Sequence, residues 1–410
     1  MQHTRLRFLF LNIGHFLNHL IILIFATAAL RMMTDWGLSY AELIPYATPC
    51  FIAYGLCAIP AGWLGDKWSR EGMMVVFFFG IGASSMLVGL ASSPLQIAFC
   101  LTLVGVFAAI YHPVGIAMVV HGLNKTGVPL AINGIFGNMG VACAALLTGF
   151  LVDTSGWRSA FIVPGIASIG VGVLYLAFLR AEPASLAATA QNDNSDMQAH
   201  HIPRQMLLRL FGIVLFTTAI GGLIFQSTTF ALPKVFDERL TDIAGTATLV
   251  GIYAFLVFSV AAFAQLAVGH LVDNYSVRTI FGTVALLQVL FFFVMAQLEG
   301  IGALLVAFAF MLVVFGQIPI NDVLVGRIVR SEWRSRAYAL SYIVSFSVSA
   351  AAVPTIAWIH GTHGFAMLFD VLSIAAFAIF LGTLLLPGKT HAINARVPSG
   401  VGPDQSDQQQ

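Results

Sequence analysis

Apolar residues in this chain do not alternate. They run on for about twenty residues at a time, and short polar stretches separate the runs. A helix that crosses the roughly 30 Å hydrocarbon layer of a bilayer needs about 20 apolar residues. About twelve such runs can be read. The first six are 8–30, 42–64, 72–91, 95–119, 128–151 and 159–179. The second six are 207–231, 246–268, 278–297, 301–325, 337–360 and 365–387. These runs are too long and too continuous for the strands of a membrane barrel. Open sheet is excluded in lipid, because unpaired backbone groups find no water there. The predicted fold class is all-α and integral to the membrane.

Two polar stretches divide the pattern. Residues 180–206 are rich in Ala, Asn, Asp, Gln and His and read as a flexible linker; residues 388–410 end in Gln-Gln-Gln and read as a disordered tail. The predicted domains are therefore 1–179, a six-helix half; 180–206, a linker; 207–387, a second six-helix half; and 388–410, the tail. The halves repeat one another. Gly62-Trp63-Leu64-Gly65-Asp66-Lys67-Trp68-Ser69-Arg70 reads as a charged loop between the second and third runs. Its counterpart is Gly269-His270-Leu271-Val272-Asp273-Asn274-Tyr275-Ser276-Val277-Arg278, with Gly and Asp at the same offset. Gly156-Trp157 likewise matches Gly364-Phe365, and Pro113 falls opposite Pro319. Six helices followed by six in the same orientation make a parallel repeat, with a binding site expected between the halves near mid-membrane.

Composition agrees with lipid as the solvent. The chain is 59% hydrophobic and 9% charged, against about 25% charged in a soluble domain. A net charge of +1 gives no reason to expect nucleic acid. If the N-terminus is cytoplasmic, then of the 19 Lys and Arg only Arg31, Arg158, Lys234 and Arg239 fall on the opposite side. That bias sets both termini and the linker in the cytoplasm. Arg327, Arg330, Arg334 and Arg336 then form a basic run suited to anchoring topology at anionic headgroups. Arg5 and Arg7 before an apolar run, with Ala26-Thr27-Ala28 near its end, resemble a signal peptide. His15, Asn18 and His19 interrupt the run, so it reads as a retained first helix. Cys50, Cys57, Cys100 and Cys143 sit in apolar runs without metal-ligand spacing and read as core residues. No metal cluster and no catalytic triad stands out. With no Gly-x-x-x-x-Gly-Lys-Ser/Thr loop, ATP-driven pumping by this chain is not expected.

The few polar residues inside the runs are the candidate chemistry. His15, Asn18 and His19, at i, i+3 and i+4, share one helical face. Ionisable groups in a span face the bundle interior or a wet cavity, and histidine titrates near neutral pH. Helix–helix hydrogen bonding is the blander use of the same residues. Tyr111, His112 and Pro113 lie in the fourth run. Proline removes a backbone donor, which suits a cavity lining or a bent gating helix. Asp322 closes Gln317-Ile318-Pro319-Ile320-Asn321-Asp322 in the tenth run; it reads equally as a proton carrier or an interfacial cap, within reach of Arg327 or Arg330. Asn133, Asn138, Gln226, Gln265 and Gln288 add further polar groups.

These residues carry a resemblance. The twelve runs split six and six, and Gly62, Asp66, Lys67 and Arg70 match the Gly-x-x-x-Asp-Arg/Lys-x-Gly-Arg/Lys-Arg/Lys pattern of the major facilitator superfamily. Ser69 replaces its second glycine, and Glu71 replaces a basic residue. The chain resembles that superfamily over nearly its whole length. It also looks like the fosmidomycin-resistance-type exporters in His15-Phe16-Leu17-Asn18, Tyr111-His112-Pro113 and Gly137-Asn138-Met139-Gly140, although His19 stands where they tend to have an aspartate. The resemblance implies two pseudo-symmetric six-helix bundles, a cavity lined by the first, fourth, seventh and tenth spans, and gating by Gly62, Asp66, Lys67, Arg70 and Pro113, with Asp273 and Arg278 in the second copy. His15, Asn18, His19, Tyr111, His112, Asn138, Gln226 and Asp322 then form the substrate- or proton-binding set. The expected function is secondary active transport by alternating access: proton-coupled export of a small amphipathic or anionic solute or drug from a monomer in the cell inner membrane. Proton-coupled uptake of an organic acid is the alternative, and an integral-membrane enzyme is more remote. The expected partners are a small-molecule substrate, protons and lipid, and no cofactor is expected.

Overall fold

A computed structural model describes residues 2–122, 127–181, 204–328 and 331–387. Among the described residues there is only helix and short connection. Eleven helices are long and apolar enough to cross a bilayer. In chain order they are α1 Gln2–Trp36, α2 Tyr40–Lys67, α3 Arg70–Leu90, α4 Pro94–Val120, α5 Gly127–Ser155 and α6 Trp157–Ala181. The second half has α7 Arg204–Arg239, α8 Ala247–Asn274, α9 Val277–Met295, α10 Gly300–Ile328 and α11 Ser331–Leu384. The last is far longer than one crossing, and Gly364, at φ 73°, breaks it where the two predicted runs meet. Its two arms are the eleventh and twelfth spans. Gly156, at φ 82°, separates α5 from α6 at the matching place of the first half. Glycine takes that backbone region without a Cβ clash. Each of these glycines precedes a buried aromatic, Trp157 and Phe365.

The helices outrun the apolar runs. Beyond the lipid, polar pairs carry them on: Arg31 Nε donates to Asp35 Oδ1 at 3.0 Å one turn before α1 ends. The charged loop expected at 62–70 is therefore mostly helix. Only Trp68 and Ser69 interrupt it, and Ser69 Oγ accepts from the Gly72 backbone N–H at 3.0 Å. Ser69 is the N-cap of α3, and its hydroxyl oxygen takes up one of the first-turn backbone donors that have no partner inside the helix. Of the predicted linker, 182–203 lie outside the described residues, as does the tail 388–410.

We call the end of the bundle with Arg5 and the Trp68–Ser69 turn the terminal end, and the opposite end distal. Within the first half α1 packs on α5, α2 on α4 and α3 on α6; within the second, α7 and α9 pack on α11 and α8 on α10. The halves meet along α5–α8 and α2–α11. Small residues make the first contact close. A Cβ on Gly149 would lie 2.2 Å from the Ala247 carbonyl oxygen, and one on Gly251 would lie 2.5 Å from that of Ala145. Between membrane helices, backbone approach of this kind gives the van der Waals contact that lipid-facing leucines cannot. Beside it the Asp153 carboxylate accepts from Thr248 N–H at 2.7 Å and from the Thr248 hydroxyl. Across α2–α11, the Tyr40 ring stands edge-on to His360 at 5.1 Å. All of these contacts lie toward the distal end. The outer surface exposes Leu56, Trp63, Phe99, Leu174, Phe263 and Trp358, a coat suited to acyl chains and not to water.

Candidate functional site

The site begins with helical spacing. His15 and His19 are one turn apart near the middle of α1, so both rings leave the same face. Opposite them α4 abandons α geometry: Tyr111–Gly115 form a π turn containing Pro113. Proline has no N–H, and its ring clashes with the carbonyl four residues back. A wider turn is one way to absorb that, and such turns recur at functional sites. The turn brings His112 to the α1 face. Ring centroids are 5.0 Å apart for His15–His19, 5.3 Å for His15–His112 and 5.5 Å for His19–His112. One ring nitrogen from each lies within 4.8 Å of the others. His15 is buried, and the other two are partly buried.

A hydrogen-bonded frame holds this group. Asn133 of α5 donates from Nδ2 to Asn12 Oδ1 at 2.9 Å and to the Tyr111 hydroxyl at 2.8 Å. Tyr111 in turn donates to the Leu11 carbonyl at 2.8 Å, and its ring stacks on His15 at 4.7 Å. The backbone carbonyl of Asn133 lies 2.8 Å from His15 Nδ1. A carbonyl only accepts, so Nδ1 carries the proton and, in the neutral ring, Nε2 keeps the lone pair. That Nε2 is buried and has no hydrogen-bond partner. Gly137 makes room for the ring: a Cβ there would lie 2.6 Å from His15 Cε1 and Nε2. Asn18, fully buried, donates to the Tyr54 hydroxyl of α2 at 3.1 Å. The site thus ties α1, α2, α4 and α5 together.

Of the predicted set, the structure gathers His15, Asn18, His19, Tyr111 and His112. Helix α5 joins them through Asn133, which the sequence suggested only as a packing residue; Asn138 is half-buried on the same helix. Gln226 is buried in the other half on α7, a helix that packs against α1. The Asp322 side chain lies outside the described residues. The second half has its own polar core, built on Gln288, which the sequence marked only as a further polar group. Gln288 Nε2 donates to Gln317 Oε1 at 2.8 Å, and Thr217 Oγ1 donates to Asn321 Oδ1 at 3.4 Å. A Cβ on Gly221 would lie 2.5 Å from Gln317 Nε2.

The gating candidates sit at the terminal end. Arg70 donates to Asp66 Oδ1 at 2.7 Å across the Trp68–Ser69 turn. Lys67 is exposed beside them. Gly62 lets α2 close on the π turn, since a Cβ there would meet Pro113 Cβ at 3.2 Å. Asp273 is exposed at the end of α8, and Arg278 is half-buried in the first turn of α9. A pocket of about 470 Å³ opens at the other, distal end, lined in part by Tyr40, Lys234, Glu238 and His360. Its His360 Nε2 is 2.9 Å from Glu238 Oε1.

Comparison with known proteins places this arrangement. Residues 11–260 match the family described as Major Facilitator Superfamily. A probable hexose phosphate transport protein of Chlamydia pneumoniae is 29% identical over 164 residues, 40% of this chain and 36% of that protein. A gallate transporter of Pseudomonas putida is 25% identical over 170 residues, covering 41% and 38%. The tetracenomycin C resistance and export protein of Streptomyces glaucescens is 28% identical over 167 residues, covering 39% and 31%. The chain thus spans 31–38% of the length of these three curated relatives. Two solved structures align over almost everything. A bacterial homologue of the human lysosomal transporter Spinster, inward-facing and occupied, has TM-score 0.73 at 14% identity, covering 94% of this chain and 95% of that one. The inward-open xylose transporter XylE of E. coli has TM-score 0.74 at 13%, covering 95% and 98%. At such identities the likeness is one of fold.

Proposed function

Because the chain belongs to the Major Facilitator Superfamily, we propose that it is a proton-coupled secondary transporter that moves a small amphipathic or anionic organic solute by alternating access, in the direction of export. The observation that carries this reading is the buried histidine group at mid-length of α1, in a bundle whose halves pack together at the distal end. In that reading the terminal end is cytoplasmic and the distal contacts, Asp153–Thr248 and Tyr40–His360, are the outer gate. The protein is a monomer in the cell inner membrane, carries 12 spans in two six-helix domains, and is a transporter and not an enzyme. Asp66 and Arg70, with Asp273 and Arg278, belong to the inner gate. The likeness to fosmidomycin-resistance-type exporters, and relatives named for tetracenomycin C export and actinorhodin transport, support export. The names gallate transporter and 4-hydroxybenzoate transporter favour a second reading, uptake of an organic acid by the same site.

The test uses proteoliposomes with an imposed pH gradient and a panel of labelled anionic solutes, hydroxybenzoate and hexose phosphate among them. Flux follows the gradient in the wild type, and its sign distinguishes export from uptake. His15→Ala and His112→Ala each abolish the gradient response. Unchanged gradient-driven flux in both variants would remove the histidines from the mechanism.

A further inference from the structure

Histidines 15, 19 and 112 do more than a proton site needs. One imidazole suffices to carry a proton, yet here three converge, with one nitrogen from each within 4.8 Å of the others. Three nitrogens bound to one tetrahedral ion at 2.0–2.1 Å lie about 3.4 Å apart, so rotations of the two partly buried rings would close the set. His15 also has the partner found behind metal-bound imidazoles. Its Nδ1–H points to the Asn133 carbonyl at 2.8 Å, which fixes the tautomer and leaves a buried Nε2 with no hydrogen-bond partner. An unbonded buried acceptor is unfavourable unless something arrives to use it.

We propose that His15, His19 and His112 form a binding site for a divalent first-row transition metal such as Zn²⁺ or Co²⁺, with a fourth position open to an anionic ligand. The proposal rests on the reading of this cluster as the transport centre and names what that centre holds. Imidazole selects borderline cations over Mg²⁺ or Ca²⁺, which take oxygen. The fourth ligand follows from charge. The helices that build the site carry acidic residues only near their ends: Asp35, Glu42, Asp66 and Asp153. Three neutral imidazoles leave the ion's two charges uncompensated in a lipid-embedded core, where unpaired charge is expensive. The compensating anion therefore comes with the metal, as hydroxide or as the oxygen donors of a small chelator. This joins the metal to the anionic solute proposed above.

The test is direct binding to the full chain in detergent, purified on a tag without histidine. Co²⁺ is titrated and its visible absorption followed. The wild type binds one Co²⁺ with the intense bands of a four-coordinate site. Zn²⁺ displaces it, and millimolar Mg²⁺ does not. His15→Ala, His19→Gln and His112→Ala each weaken binding at least about tenfold, as loss of a metal-site group does, whereas His363→Ala, on the distal surface, leaves it unchanged. His19→Gln keeps a partly buried polar side chain, so its loss of binding is not a loss of fold. Adding one equivalent of iminodiacetate separates the two sources of the fourth ligand: a tightened, shifted spectrum marks an anionic complex, and simple stripping of the metal marks the hydroxide-bearing ion. If the wild type binds no Co²⁺, or binds it equally in all three variants, the metal site is wrong. Gradient-driven flux that persists in that case would leave the transport reading standing.

Discussion

Among the described residues of the first half, α1–α6, the buried groups include His15, Asn12, Asn18, Asn133 and the Tyr111 hydroxyl; those of the second, α7–α11, include the amides Gln226, Gln288 and Gln317 and the hydroxyl of Thr217, and no histidine. Both cores use a glycine on a facing helix to admit one polar side chain, Gly137 for His15 and Gly221 for Gln317. The frame is repeated and the chemistry is not. An imidazole can gain or lose a proton near neutral pH or bind a metal, whereas an amide can only exchange hydrogen bonds. A repeat can therefore share one backbone design while a single half supplies the reactive groups. The other half can still bind and orient what passes between them.

The largest effect expected from breaking this contrast comes from the two glycines. In Gly137→Ala the new Cβ would meet the His15 ring at 2.6 Å. That ring is pinned by its bond to the Asn133 carbonyl and by Tyr111 stacked on it, so it cannot yield without leaving the cluster. Flux and Co²⁺ affinity both fall at least about tenfold, the equivalent of roughly 1.4 kcal/mol. In Gly221→Ala the contact is the far end of a flexible glutamine. A side chain about 30° off its rotamer costs about 0.5–1.5 kcal/mol, so flux falls about threefold and the pH-gradient response stays. Equal losses in the two variants would erase the distinction between the halves.

How far the sequence announces this arrangement differs from element to element. The spans are legible because about 20 apolar residues have one use. The break at Gly364 is legible because it matches Gly156 in the repeat. The shared face of His15, Asn18 and His19 follows from helical spacing alone. That His112 completes their group is not legible, because it depends on the distance between α1 and α4 and on the π turn at Pro113. Asn133 looked like one asparagine among several, and its importance lies in having two acceptors within reach of one amide. The hinge was misread as a loop because charge was taken for irregular structure, when a helix simply continues past the lipid.

Stability offers the next test. Asn133→Leu leaves both Asn12 Oδ1 and the Tyr111 hydroxyl without a donor. Hydrogen bonds between membrane helices are worth about 0.6 kcal/mol on average and at most about 1.7, so the expected loss is about 1–3 kcal/mol. Gln288→Leu also removes two bonds, to Gln317 Oε1 at 2.8 Å and to the Val313 carbonyl at 3.2 Å, but inside α10 that carbonyl keeps the backbone N–H four residues on, so only Gln317 Oε1 loses its partner and the loss is about 0.6–1.7 kcal/mol. Thermal unfolding in detergent should rank Asn133→Leu below Gln288→Leu. The reverse order would mean that the amide core, and not the histidine frame, holds its half together.

The smallest effect is expected at the hinge. Asp66 and Arg70 are bonded at 2.7 Å but solvent-exposed, and an exposed ion pair is worth at most about 1 kcal/mol. Asp66→Asn should therefore leave thermal stability within error. Its effect, if the pair acts in gating, appears in rate: flux falls severalfold while Co²⁺ affinity at the histidines, which Asp66 does not touch, is unchanged. Asp273→Asn, in the copy where no lysine follows the aspartate, should lower flux less. The pair of measurements extends the comparison from the core to the surface, because it asks whether the first half also dominates the moving parts. Equal rate losses for the two aspartates would confine the asymmetry to the buried site, and an Asp66→Asn variant with full flux would leave its ion pair a local brace across the Trp68–Ser69 turn.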